Sequence, residues 1–154
     1  MPCSCTDTLY RLEETGNRVV ATENKSCVIY TQDFIGEYLV PGQQPLEIVD
    51  ETTCAIAKNI NHDTVEILET GTYKVELKIK APTGDSAAKL TMSSSSGGLH
   101  DSAHLVKDNG GEGVAYLTDT ARLGAGTHIS LYYNDAAINI SGSESKFVII
   151  KLED

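Results

Sequence analysis

The sequence predicts a single all-β domain, and three features support this expectation. Residues 72–80 alternate strictly between apolar side chains (Tyr73, Val75, Leu77 and Ile79) and polar ones, which is the period of a strand with one buried face. Similar short segments follow along the chain, separated by turns rich in glycine, serine and asparagine. The second half shows no helical periodicity with capping residues. A doubly wound α/β fold and a helical bundle are thereby excluded.

The other strands are expected at regular intervals. In addition to 72–80, we expect strands over residues 63–68, 87–93, 99–107, 113–123, 127–134 and 146–152. Turn residues occupy the gaps between these segments, at 94–98, 108–111, 124–126 and 141–143. Short strands with turn signals every ~8–12 residues are typical of an antiparallel β-sandwich or barrel.

The last predicted strand differs from strand 72–80 because it is apolar on both faces, reading Phe147-Val148-Ile149-Ile150. In a two-sheet sandwich one face of a strand meets the core, and the other would meet solvent. A second subunit is the simplest cover for the other face. We therefore predict an oligomer whose interface contains Phe147, Ile149, Tyr132 and Tyr133.

The first 36 residues show no regular period, because apolar residues are scattered among charged ones. Two short strands could form there, at 19–21 and at 27–30. Pro41-Gly42 follows as a strong break. We divide the chain into an N-terminal arm or attachment module, residues 1–36, and a β-domain, residues 37–154.

Composition narrows the function classes. The chain carries 12 Lys and Arg against 22 Asp and Glu, a formal net charge of −10, which opposes binding to the phosphates of nucleic acids. No apolar run approaches the ~18–20 residues of a membrane span. The first residues lack the basic and apolar regions of a signal peptide, so we expect a protein that stays in the cytosol or leaves by a route such as cell lysis.

The four cysteines leave two interpretations open. Cys27 and Cys54 are expected as reduced thiols that pack as small apolar residues. Cys3 and Cys5 form a C-x-C pair that could bind a zinc ion with other ligands or cross-link neighbouring chains. A lone C-x-C lacks the second pair of a zinc ribbon, so no metal site is predicted.

Three residues imitate a hydrolase triad: Ser86 in a Gly-Asp-Ser segment, and Asp101 and His104 in Asp-Ser-Ala-His. Asp101 and His104 are three residues apart, so on a regular strand they point to opposite faces of the sheet. His100 and His104 have the spacing that chelates zinc on a helix, but on a strand four residues span ~13 Å. The loop 108–113 carries oxygen ligands for calcium, but its spacing is not that of an EF-hand, and a hairpin turn explains Asn109-Gly110 without any ion. We predict no enzymatic activity and no cofactor.

Three segments in order resemble one family. Residues 40–46 (VPGQQPL), 68–75 (LETGTYKV) and 121–131 (ARLGAGTHISL), followed by strand 147–152, resemble the trimeric jelly roll of tumour necrosis factor-like cytokines, complement globular heads and the C-terminal domain of bacillary spore-surface filaments. The resemblance covers residues 38–153. It implies about ten strands in two antiparallel sheets and a three-fold homotrimer. The collagen stalk of some members is missing, and the arm matches nothing in the family.

These expectations combine into a function. We expect a non-enzymatic structural protein, a homotrimeric jelly roll that its arm, residues 1–36, docks onto a capsid or other virion protein of a bacteriophage. The expected location is the virion, assembled in the host cytoplasm, as a capsid decoration or head fibre. One alternative is a fibre tip that binds a receptor or host-surface glycan through loops 93–98 and 108–113. Another is a protein of a bacterial spore or cell surface.

Overall fold

The computed structural model of the chain describes residues 27–32, 34–49, 55–107, 110–141 and 144–153. Within these ranges no helix is long and apolar enough to cross a membrane. The described strands are β1 (Cys27–Gln32), β2 (Tyr38–Leu39), β3 (Gly42–Gln43), β4 (Ala57–Ile60), β5 (Thr64–Ile67), β6 (Gly71–Ala81), β7 (Asp85–Ser94), β8 (His100–Lys107), β9 (Gly113–Leu123), β10 (His128–Tyr133), β11 (Ile138–Asn139) and β12 (Lys146–Glu153).

The strands pair antiparallel in two layers. One layer has the order β1-β12-β6-β9, and the other has the order β7-β10-β5-β4, with β3 beside β10. Strand β8 pairs with β7 along most of its length and with β9 at Val106 and Lys107, so it joins the layers into one continuous path. Strands β2 and β11 form a separate pair. The predicted sandwich is therefore present, with its two sheets joined at one side.

Strand β6 shows how the sequence pattern produces the layer. Its burial alternates at every residue from Gly71 to Ala81, and β12 and β9 pair on either side of it. Tyr73, Leu77 and Ile79 are buried, as the alternation predicts. They belong to one apolar cluster that takes side chains from both layers, including Leu90 of β7 and Leu131 of β10.

The expected boundary of the N-terminal arm at residue 36 is wrong. Residues 27–32 form β1, an edge strand that pairs with β12 from Cys27 opposite Lys151 to Gln32 opposite Lys146. Phe34 is buried, and its ring lies 5.6 Å from the ring of Phe147. The jelly roll therefore starts by residue 27, and only residues 1–26, outside the described ranges, remain as a candidate arm.

The expected interface residues also need correction. Phe147 and Ile149 have no exposed surface, and Tyr133 is 3% exposed with its hydroxyl donating to Ala136 O at 2.8 Å. The pairing of β12 with β6 places the side chains of Phe147 and Ile149 in the core, so they are not accessible to a second subunit. Tyr132 is exposed, but it lies in the other layer. The four residues do not form one surface.

The expectation of a reduced thiol fails at Cys27, which is buried and disulfide-bonded. The other three cysteines, including the C-x-C pair, lie outside the described residues.

Candidate subunit interface

The outward side chains of β1, β12, β6 and β9 form a surface that we call the β12 face. Strand register arranges it in rows: Gln32, Lys146, Lys78 and Tyr116 lie side by side, then Tyr30, Val148, Glu76 and Thr118, then Val28, Ile150, Lys74 and Thr120. Cross-strand neighbours of this kind are the unit of side-chain contact on a sheet.

The β1 and β12 side of the β12 face is apolar. Val28 and Tyr30 are about half exposed, and Val148 and Ile150 lie beside them in the same rows. At the other side of the face, Tyr116 is 63% exposed. Neighbouring exposed apolar side chains such as Val28 and Tyr30 are the kind of surface feature that marks a contact with another molecule.

The middle of the β12 face is charged, because the outward residues of β6 are Lys74, Glu76, Lys78 and Lys80. Lys74 pairs with Glu76 at 3.0 Å, and Lys80 lies 3.6 Å from Glu112 and 3.8 Å from a second glutamate, Glu144. At an interface, an apolar region supplies contact area, and a column of charges beside it favours one orientation of the partner.

A shallow cavity of about 220 Å³ lies in the first two rows of the β12 face. Its lining residues are Glu76, Leu77, Lys78, Tyr116, Leu117, Thr118, Lys146 and Val148. The Nζ of Lys78 stands 5.8 Å from the centre of the Tyr116 ring, within the range of a cation–π contact.

The outward side chains of the second layer form a contrasting surface, the β10 face. Hydroxyl, amide and imidazole groups dominate it: Gln43, Thr64, Glu66, Lys89, Thr91, Ser93, His100, Ser102, His104, His128, Ser130 and Tyr132. These groups bond to each other: Thr91 Oγ1 lies 3.0 Å from Ser102 Oγ, and the Gln43 amide donates to Thr64 Oγ1 at 3.2 Å. Tyr132 is the large aromatic residue of this face.

The residues of the suspected triad have other roles where they are described. The carboxylate of Asp101 accepts the backbone N–H groups of Ser102 at 2.9 Å and of Thr118 at 2.8 Å. His104 is exposed on the β10 face, opposite Lys89. The side chain of Ser86 lies outside the described part of the structure.

The histidines and the acidic loop were the candidate metal ligands. His100 and His104 stand on β8 opposite Ser93 and Lys89. Over the described ranges, no group of three or more His, Cys, Asp or Glu side chains could hold a metal ion. Part of the loop 108–113, residues 108 and 109, falls outside those ranges.

Sequence reasoning missed the residues that form the β12 face. Val28 and Tyr30 alternate in burial with Cys27, Ile29 and Thr31. Residues 27–30 are all apolar, so the sequence indicates a short strand there without the apolar–polar alternation that shows which side chains of β6 face outward. On β12, the even-numbered Val148 and Ile150 face outward, and the odd-numbered residues that we expected there face inward.

Solved structures share this architecture. Murine APRIL at pH 8.5 matches with a TM-score of 0.60 at 13% identity, over 83% of this chain and 100% of that one. GITRL from bushbaby matches at 0.53 and 14%, over 84% and 96% of the two chains. Eiger TNF from S. frugiperda matches at 0.53 and 11%, over 82% and 86%. No protein-family model and no curated protein matches the sequence.

These likenesses establish the fold. The chain is an all-β jelly roll of the tumour necrosis factor-like type, as the sequence predicts. At 11–14% identity the likeness extends to the architecture alone.

Proposed function

We propose that the chain is a non-enzymatic structural protein that assembles as a homotrimer through its β12 face. The observation that carries the proposal is the apolar side of that face, where exposed Val28 and Tyr30 lie beside half-buried Ile150 and buried Val148. Burial of such a surface is the main driving force for stable association between subunits. Closed cyclic symmetry lets several identical copies cover it without leaving a free copy of the patch.

We further propose that residues 1–26 attach the trimer to a larger assembly, a bacteriophage virion. Support comes from where the chain enters the domain: Cys27 pairs with Lys151 near the end of the last strand. In a three-fold trimer, three N-terminal segments would therefore leave from the same end. The remaining surface, including the β10 face, would stay available to the outside.

The disulfide of Cys27 and the charge of the chain fit a protein that works outside a reducing cytosol. Disulfides persist in oxidising surroundings, such as those of a released particle. A formal net charge of −10 keeps many copies soluble at high local concentration.

Light scattering after gel filtration tests the trimer. We expect a mass three times the 16.5 kDa of the chain at micromolar concentration. A monomer at that concentration would overturn the assembly. For the attachment, we expect mass spectrometry to find the chain in purified phage particles, and deletion of residues 1–26 to abolish incorporation of a trimer that still forms. Incorporation of the deleted chain would move the attachment site to the jelly roll.

The β10 face supports a second candidate, recognition of a host-surface glycan. Tyr132 offers an exposed ring beside the hydroxyls of Thr91 and Ser130 and the amide of Gln43, and sugars stack on rings and bond to such groups. Binding to a glycan array that disappears in Tyr132→Ala would favour this function. Binding that persists in the variant, or no binding at all, would remove it.

A further inference from the structure

Two lysines face each other at the centre of the β12 face. Lys146 of β12 and Lys78 of β6 are direct cross-strand partners, and both are half-buried. Side chains in this relation have Cβ atoms ~4.5–5.5 Å apart, and like charges placed so destabilise the sheet. An isolated subunit therefore carries an unfavourable charge pair at this point.

The other lysines of the same face have carboxylate partners. Lys74 lies 3.0 Å from Glu76, and Lys80 lies between two glutamates. Among the described residues, no carboxylate comes within 4.0 Å of the Nζ of Lys78 or Lys146. Lys89, on the β10 face, also has no such partner in the part of the chain that the structure describes, but its side chain is exposed to solvent.

The cavity lies beside this pair. Lys78 and Lys146 both line it, and the exposed ring of Tyr116 stands next to Lys78 on the far side. The cavity volume of about 220 Å³ has room for the end of one side chain. The cavity offers two positive charges together with an apolar wall from Val148.

We propose that Lys78 and Lys146 together bind an aspartate or glutamate carboxylate from a neighbouring copy of the chain, seated in this cavity. The inference rests on the proposed homotrimer and adds a residue contributed by the partner. Charge complementarity identifies the occupant, because the chain has 22 acidic against 12 basic residues and every copy brings a large excess of carboxylates. Four of its nine lysines, Lys74, Lys78, Lys80 and Lys146, project from this one face.

The binding of a carboxylate between the two lysines would change the energetics of assembly. It would replace the repulsion between the two ammonium groups with two charge-assisted contacts, in a site that the partner shields from water. The subunits would then associate in one register, since a displaced neighbour would leave the charge pair uncovered.

Zero-length cross-linking tests the contact directly. A carbodiimide joins an amine to a carboxylate that touches it, with loss of water, so it reports real contacts only. Trimers that mix ¹⁵N-labelled and unlabelled full-length chains are cross-linked, digested and analysed by mass spectrometry. We expect cross-linked peptides that contain Lys78 or Lys146, with one peptide labelled and the other unlabelled. Trimers in which these lysines link only within one chain, for example to residues 1–26, or do not link at all, would overturn the proposal.

Charge removal supplies an independent measurement. The double variant Lys78→Met and Lys146→Met keeps the apolar stems, and Lys89→Met is the matched control on the β10 face. By sedimentation equilibrium, we expect the double variant to weaken the trimer about tenfold or more, with a smaller dependence on sodium chloride. The control should match the parent. A double variant that assembles as tightly as the parent, or more tightly, would contradict the proposal.

The two levels of the proposal fail differently. If the parent chain shows no trimer, both the proposed function and the carboxylate contact are overturned. If the trimer forms but labelled and unlabelled peptides never join at Lys78 or Lys146, only the contact is overturned. If the double variant fails to fold, the cross-linking of the parent chain still decides.

Discussion

The two outward faces of the jelly roll are built on the same alternation and carry opposite chemistry. On the β12 face, valine, isoleucine and tyrosine side chains lie next to a column of lysines. On the β10 face, serine, threonine and glutamine side chains bond to each other and to water-accessible neighbours. Both faces cover one shared core, so packing inside the subunit does not explain the difference.

Under the proposed assembly, the outward positions of a strand reflect what lies beyond the subunit. A layer that meets water gains nothing from apolar outward residues, and the β10 face has few. A layer that meets another subunit gains stability from them. Four variants test this difference, in order of decreasing expected effect. The first deletes strand β1 of the β12 face, and the second truncates one side chain of the shared core. The third breaks an ion pair at the edge of that core, and the fourth removes one hydrogen bond of the β10 face.

Removing β1 should have the largest effect, because it deletes half of the apolar region of the β12 face and part of the core. A chain that starts at residue 37 loses Ile29 and Phe34, both buried, and leaves the edge of β12 without a partner. We expect it to fail to fold or to trimerise. A chain that starts at residue 27 keeps every described strand and should do both, as circular dichroism and light scattering would show. If the chain that starts at residue 37 folds and forms normal trimers, the domain begins after residue 36, as expected from the sequence.

The shared core should be next in effect. Leu77 is buried between the layers, whereas its neighbour Lys78 points outward on the same strand. Leu77→Ala should lower the free energy of unfolding by about 2–5 kcal/mol, because it leaves a cavity in a packed interior. Lys78→Ala should change it by less than about 1 kcal/mol in the monomer. Urea denaturation at a concentration where both variants are monomeric measures the contrast, and equal losses would contradict the assigned orientation of β6.

Sequence reasoning succeeded where the alternation was long. The predicted strand 113–123 coincides with β9, and the predicted strand 72–80 falls short of β6 by one residue at each end. In 72–80, four repeats of the two-residue period outweigh local propensity, and 113–123 is bounded by clear turn residues on both sides. Strands of two residues, such as β3 and β11, carry too little pattern to be seen, and tertiary pairing alone defines them.

The interface was harder to predict, and β12 shows why. Phe147, Val148, Ile149 and Ile150 are all apolar, so the sequence indicates that both faces are covered without indicating which one meets the core. Only the register with β6 and β1 decides that Phe147 and Ile149 are inside. Lys78 and Lys146 are 68 positions apart in the sequence, and the residues around each of them do not indicate that the two strands pair in this register.

A smaller effect is expected at the edge of the core, where a lysine of β12 does have a partner. Lys151 is buried and donates to Glu69 Oε1 at 3.1 Å. Glu69→Ala removes that carboxylate from a desolvated ammonium group, so we expect a loss of about 1–3 kcal/mol in the free energy of unfolding. Exposed Glu37→Ala is the control and should be nearly neutral. A thermal melt distinguishes them, and identical melts would mean that water replaces Glu69 without cost.

The smallest effect is expected on the β10 face. Thr91→Val keeps the shape of the side chain but removes the hydroxyl that bonds to Ser102. Because water can satisfy the remaining group on this half-exposed surface, we expect a change of about 0.5 kcal/mol or less in the free energy of unfolding and no change in trimer mass. A large loss of assembly in Thr91→Val would mean that the β10 face, too, is covered by a subunit.

One pair of variants tests the difference between the faces most directly. Tyr30 on the β12 face is 46% exposed and Tyr132 on the β10 face is 44% exposed. Changing either one to aspartate should therefore lower the stability of the isolated subunit by a similar amount. Light scattering after gel filtration at micromolar concentration should find Tyr30→Asp as a monomer and Tyr132→Asp as a trimer. A trimeric Tyr30→Asp together with a monomeric Tyr132→Asp would place the subunit interface on the β10 face and contradict the assembly proposed for this protein.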